Sequence, residues 1–282
     1  MKNLFLFIFM LLSINSFTQD KLDIKIDKGI QLYENGKKEK AFKIWKKVEK
    51  KSNKPSSTYG TALGNILWYY IENNDEENFL NYYKKIINSS LKEKDRNYEI
   101  GQPYKNYRYH ATIHIASYYS NNYQFKKGLA FIEKADSLQF ETTSLTSFIY
   151  QKVDLSFWKY RLLKDLNQEK KAIYELIKRA FEYNYKGMYP NWATVSPSND
   201  ELELSETICS KYHNLNKLKL QIDQGISNLK YISDKKKISF KINESTYLIN
   251  PFNDQINTVE KSKKYLENSF FYQYVTSKTN NK

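Results

Sequence analysis

Between residues 29 and 48, Gly29, Leu32, Gly36, Ala41, Trp45 and Val48 form a regularly spaced set of small and apolar positions. Their steps are three, four, five, four and three. Steps of three and four keep side chains on one helix face. The five-residue step crosses the polar run GKKEK, where Gly36 is free to take a positive φ. The spacing predicts one helix ending near Asn35 and a second over 38–51. Antiparallel helices approach closely only where one side chain is small. Ala41 supplies that point, and Trp45 fills the wider space one turn later.

The pattern returns three times. Leu67, Tyr70, Asn74, Phe79, Tyr83 and Ile86 repeat it with the small residues enlarged. Ala116, Tyr119, Tyr123, Gly128, Ile132 and Ala135 are its best copy. Tyr160, Leu163, Asn167, Ala172, Leu176 and Arg179 form the fourth, whose last place is broken by Arg179. The corresponding residues Ala41, Phe79, Gly128 and Ala172 lie 38, 49 and 44 residues apart, so the array is irregular. The longest gap holds EKDRNYEIGQPYKNYR, a predicted surface loop.

This spacing resembles the tetratricopeptide repeat, a helix–turn–helix unit of 34 residues. The resemblance runs from about Asp23 to Tyr183. It departs from the family at the start of the first helix, where Lys25 and Lys28 stand in place of a Trp and an apolar residue. It implies an all-α fold: an irregular tetratricopeptide-like α-solenoid over 19–186. It also implies a concave groove lined by the first helix of each pair. Carried onto this chain, the groove residues are Tyr33, Trp68, His110, Ser117, Phe157, Arg161 and Lys164. The competing reading of Trp68 and Phe157 is packing between helices.

Residues 187–282 read differently. YKGMYPNWATVSPSND, with two Pro and one Gly, marks a loop or domain edge. Leu204, Ile208, Cys209, Tyr212, Leu215, Leu218 and Ile222, extended by Ile226 and Leu229, form an apolar stripe. It predicts one long helix, or two broken near Asn214 or Gly225. Cys209 sits on the stripe as a small hydrophobe. Ile238, Phe240 and Ile242 alternate with polar residues, the period of a half-buried strand. STYLI returns as its partner after a turn near Asn243 and Glu244. Ile256, Val259, Leu266 and Phe270 predict a terminal helix, which would cap the last repeat.

Composition adds to this pattern without changing it. Only 8 Gly and 5 Pro punctuate 282 residues, which favours helices. Leu4 to Leu12 is a short apolar run behind Lys2, with Ser16 and Thr18 at the spacing of a cleavage site. Residues 1–18 are therefore expected to be a signal peptide, and the chain to be exported, periplasmic or secreted. With one cysteine, no intramolecular disulfide forms. The net charge of +14 suits an anionic partner, yet the lysines alternate with Glu and Asp rather than forming one block.

Chemistry is sparse. No phosphate-cradling glycine loop, GxSxG elbow or CxxC pair is present. His110 and His114 are four apart on one helix face, as a metal pair requires. Ala111 stands where a metallopeptidase needs Glu, and no third His is near. The sequence therefore predicts no enzyme, cofactor or metal. It predicts a scaffold for a protein or peptide whose charge could be negative. The alternative is contact of Lys-rich faces with anionic lipid or glycan of the cell envelope. Nucleic acid is not expected.

Overall fold

The computed structural model describes residues 21–52, 54, 56–89, 91, 106–138, 145–182, 199–251 and 256–280. The expected signal peptide and the expected domain boundary at 186/187 lie outside the described residues. The chain divides into two compact units, Met1–Thr143 and Ser144–Lys282.

Among the described residues the first unit holds six helices: α1 over 21–34, α2 Lys38–Lys51, α3 Ser57–Glu72, α4 Glu76–Ile87, α5 Tyr107–Asn121 and α6 Phe125–Ser137. The second opens with α7 Leu145–Asp165 and α8 Glu169–Glu182. These make four helix pairs, and the turn within each pair is built the same way. Gly36, Asn74, Tyr123 and Asn167 all adopt left-handed backbone, with φ of 74°, 55°, 59° and 58°. The amide after each reaches back to the carbonyl of Leu32, Tyr70, Tyr119 or Leu163 at 2.8–3.0 Å. The amide of the left-handed residue itself bonds three residues back at 2.8–3.1 Å. This double closure is a Schellman motif, which satisfies the carbonyls at a helix end. A strict recurrence of turn and buried positions defines a tetratricopeptide-like helix-pair repeat.

The buried positions recur as the sequence predicts. Ala41, Phe79, Gly128 and Ala172 are buried, as are Trp45, Tyr83, Ile132 and Leu176. Gly29 explains Trp45 further: a Cβ on Gly29 would fall inside the indole. The small residue that admits the Trp is thus on α1 as well as α2. In the first unit the pairs stack through α2 on α3 and through α3 and α4 on α5. Their shared core includes Leu63, Leu67, Phe79, Ile86 and Ile115.

Repeated polar joints tie one pair to the next. Glu49 on α2 accepts from Tyr82 at 2.9 Å and is paired with Lys85, both on α4. Lys46 completes the group at 3.2 Å. Glu76 on α4 accepts from Tyr119 at 2.8 Å and pairs with Lys127 of α6 at 3.2 Å. In each joint the ammonium also lies over the tyrosine ring, 4.8 to 5.4 Å from its centre. These lysines are therefore structural as well as solvated.

In the second unit Arg179 occupies the place that the repeat pattern leaves to an apolar residue. It is 5% exposed. Its Nε donates to Ser156 Oγ at 2.6 Å, and Nη1 lies 3.4 Å from Glu182. The broken place is filled by a paired charge, not a void.

The other described elements of this unit are α9 Asn199–Cys209, α10 Leu215–Ser227, β1 Lys230–Ile232, β2 Lys237–Ile242, β3 Ser245–Ile249, α11 Val259–Glu267 and α12 Phe270–Asn280. The apolar stripe is two helices, broken at 210–214, with Asn214 accepting from the Lys217 amide at 2.9 Å as the cap of α10. The expected hairpin forms, with Ile242 paired to Ser245 across Asn243 and Glu244. β1 adds a third antiparallel strand in the order β1-β2-β3. Ile238, Phe240 and Ile242 are buried, and Phe240 meets Phe181 of α8 edge-on at 5.2 Å.

The terminal helix departs from expectation. Asn268 and Ser269 break it, and Ser269 Oγ accepts from the Tyr272 amide at 3.3 Å. The restart shifts the buried face, so Phe271 and Val275 enter the core in place of Phe270, while Val259 is 46% exposed. α12 packs on α8, α9 and α10.

Candidate functional site

In the first unit a chain of contacts crosses the first helices of three successive pairs. Tyr33 on α1 gives its hydroxyl to Glu72, near the end of α3. Lys38 reaches the same carboxylate at 2.6 Å and lies 5.3 Å above the Tyr33 ring. Trp68 lies one turn before Glu72 on the same helix. The Trp68 ring then sits 5.0 Å from His114 of α5. Trp68 is 37% exposed, so it is neither free nor a core residue. His110 lies one turn before His114 and is exposed, and Ser117 is half-buried.

The electrostatics follow from these contacts. Burial pushes the Glu72 carboxyl up, but donation from Lys38 and Tyr33 outweighs it and holds the group below the usual range. Burial lowers His114, and neighbouring His110 lowers it further, so the imidazole against Trp68 is neutral near pH 7. A neutral imidazole and an indole make a flat, amphipathic surface rather than a charged one.

Phe157, Arg161 and Lys164 belong to the second unit. Phe157 and Arg161 line a cleft of about 360 Å³ between α7 and α9. Three carboxylates share it: Asp154 of α7, and Asp200 and Glu203 of α9. Burial raises Asp154; Arg161 pulls it back, while Asp200 and Glu203 push it up again. Burial also raises Asp200, helped by Glu203. Lys164 stands apart, exposed and 5.6 Å from the centre of the Tyr160 ring.

Sequence reasoning missed Glu72, which is legible only as the residue one turn after Trp68. It missed the three carboxylates, which come together only when α9 packs on α7. Among the described residues no group of three His, Cys, Asp or Glu is placed to hold a metal. Burial pushes the Cys209 thiol up to about 11, away from reactivity. Among the described residues no helix is long and apolar enough to cross a membrane.

A family described as the Rapsyn N-terminal myristoylation and linker region matches residues 17–104. The match begins at residue 17, so it bears on the first helix pairs. It overturns the expectation of an exported, periplasmic or secreted protein, because N-myristoylation is a membrane anchor and not an export signal. No curated protein matches the chain. Two solved structures do, both of a Podosopora anserina protein described as a kinesin light chain with nearly identical TPR-like repeats. One is 12% identical with a TM-score of 0.43, covering 68% of this chain and 85% of that one. The other, a point variant of the same protein, is 11% identical with a TM-score of 0.42, covering 93% and 97%. At this level of overlap neither bears on what the chain binds.

Proposed function

We propose that this chain is a non-enzymatic scaffold that binds a protein or peptide along the first-helix face of its amino-terminal repeats. The observation that carries this reading is that Tyr33 of α1 bonds Glu72 of α3, while Trp68, one turn before Glu72, meets His114 of α5. Only stacked repeats align side chains from three separate segments into one strip. The strip combines a half-exposed Trp, a neutral His and a tyrosine held in place by a carboxylate. Pre-positioned aromatics are the usual anchors of a peptide interface, because little side-chain freedom is lost on binding. Tyr33, Trp68, His110 and Ser117 form this surface; Phe157 and Arg161 form a separate cleft. Contact with anionic lipid is the weaker reading, since Lys38, Lys46, Lys85 and Lys127 are committed to Glu–Tyr joints.

Peptides selected from a display library on the full chain test this. Those that bind should lose about thirtyfold in affinity to Trp68→Ala, the loss expected of a hot spot near 2 kcal/mol. Peptides that bind Trp68→Ala as well as the parent would place recognition elsewhere and overturn the proposal.

A further inference from the structure

The sheet and α10 enclose a second cleft, of about 550 Å³. Its spacing is set by Gly225. A Cβ there would collide with the Lys241 carbonyl, so helix and strand touch backbone to backbone at this point. β2 is paired on both sides, which makes the wall stiff. Four carboxamides face the cleft: Gln221 and Gln224 from α10, Asn228 capping its end, and Asn243 from the hairpin turn. Asn228 spends one amide hydrogen on the Gln224 carbonyl at 2.9 Å. Among the described residues the side chains of Gln221, Gln224 and Asn243 have no hydrogen-bond partner. Lys230 and Lys241 also line it, with no ion pair among the described residues, and no described carboxylate does.

Each carboxamide is donor and acceptor at once, and so suits a hydroxyl, which is also both. Ser239 and Thr246 add hydroxyls of the same character. The two ammonium groups call for negative charge on the same ligand. An apolar anchor pocket, which a peptide side chain would need, is missing: Phe240, the ring at this site, is 2% exposed. That also leaves no open ring for a nucleic-acid base to stack on. We propose that this cleft binds an acidic oligosaccharide, with its hydroxyls held by the carboxamides and its acidic group by Lys230 and Lys241.

Calorimetric titration of the full chain tests the proposal with three probes: a galacturonic acid trimer, a neutral galactose trimer and triglutamate. The acidic trimer should bind about tenfold more tightly than either control, a margin of one or two charge-assisted hydrogen bonds. Gln224→Ala and Lys241→Gln, both at exposed positions, should each weaken it about fivefold or more while the melting curve stays that of the parent. Lys28→Gln, in the other unit, should leave it unchanged. Equal binding of triglutamate would mean ion exchange on a basic surface, and tighter binding would mean an acidic peptide. Either result, or no binding of the acidic trimer, overturns the proposal. So does unaltered binding by both cleft variants.

Discussion

At Tyr123 the backbone takes φ 59°, a region that costs a side chain about 1–2 kcal/mol. The other three turns place Gly or Asn at this position, the residues that tolerate it. Tyr123 is 83% exposed, and its described ring contact is an edge to Phe125 at 6.0 Å. Little holds it there besides the fold of the repeat. Tyr123→Gly should therefore stabilise the first unit by about 1 kcal/mol in denaturant titrations. A loss of stability would mean that the ring contact outweighs the strain. This residue also shows what the sequence makes legible. Its place in the repeat is plain from Ala116, Tyr119 and Gly128 on either side, because spacing is a local property. Its strain is not legible, because backbone conformation at one residue is imposed by the two helices it joins.

At the scale of elements, helix pairs are joined by carboxylates that collect tyrosine hydroxyls and lysine ammoniums. Burial pushes Glu49 up, but hydrogen bonds from Lys85, Tyr82 and Lys46 prevail and lower it. Tyr119 and Lys127 lower Glu76 against a smaller opposing effect of burial. A carboxylate lowered by folding binds protons more readily when unfolded. Its stabilisation is therefore full above the ordinary glutamate value and is lost as pH falls through the lowered one. His114 has the same sign at higher pH: the unfolded imidazole takes up a proton first, so stability declines below its ordinary value near 6.5. Denaturant titrations from pH 8 to pH 3 should show two declines. Glu49→Gln should cost about 1–3 kcal/mol at pH 7 and flatten the acidic one. An acid limb of unchanged slope would remove Glu49 from the account. Elements differ in how far they can be read in advance. The helix pairs and the β2–β3 hairpin follow from period. β1 is three residues long, too short to show one. The break at Asn268–Ser269 hides inside a continuous apolar pattern, since a capping Ser shifts the helix face without interrupting it. The acidic cleft is least legible of all: Asp154 lies 46 residues before Asp200, and only tertiary packing brings them together.

At the scale of the molecule, the two units reach stability by different routes. Among the described residues the first contains three helix pairs, about the least number at which stacked repeats bury a continuous core. The described residues of the second contain one such pair, α7 and α8, which cannot support itself as a repeat. Its core is completed by other means: Phe181 of α8 lies edge-on to Phe240 of β2 at 5.2 Å and to Phe271 of α12 at 5.4 Å. Tyr265 of α11 also donates to the Glu182 carbonyl at the end of α8, at 2.9 Å. Each unit should therefore fold when expressed alone as Met1–Thr143 or Ser144–Lys282, with helical circular dichroism and one cooperative melt. Truncation tells the routes apart. Removing α5 and α6 from the first unit should lower its melting temperature in proportion to the interface lost, since neighbouring repeats contribute nearly additively. Ending the second unit after α10 removes the sheet, α11 and α12, and with them the partners of Phe181. That fragment should lose its cooperative transition altogether. A sharp melt from residues 144–229 would show that α7 to α10 hold together without the sheet, and that the carboxy-terminal elements are an addition to the repeat rather than a condition of it.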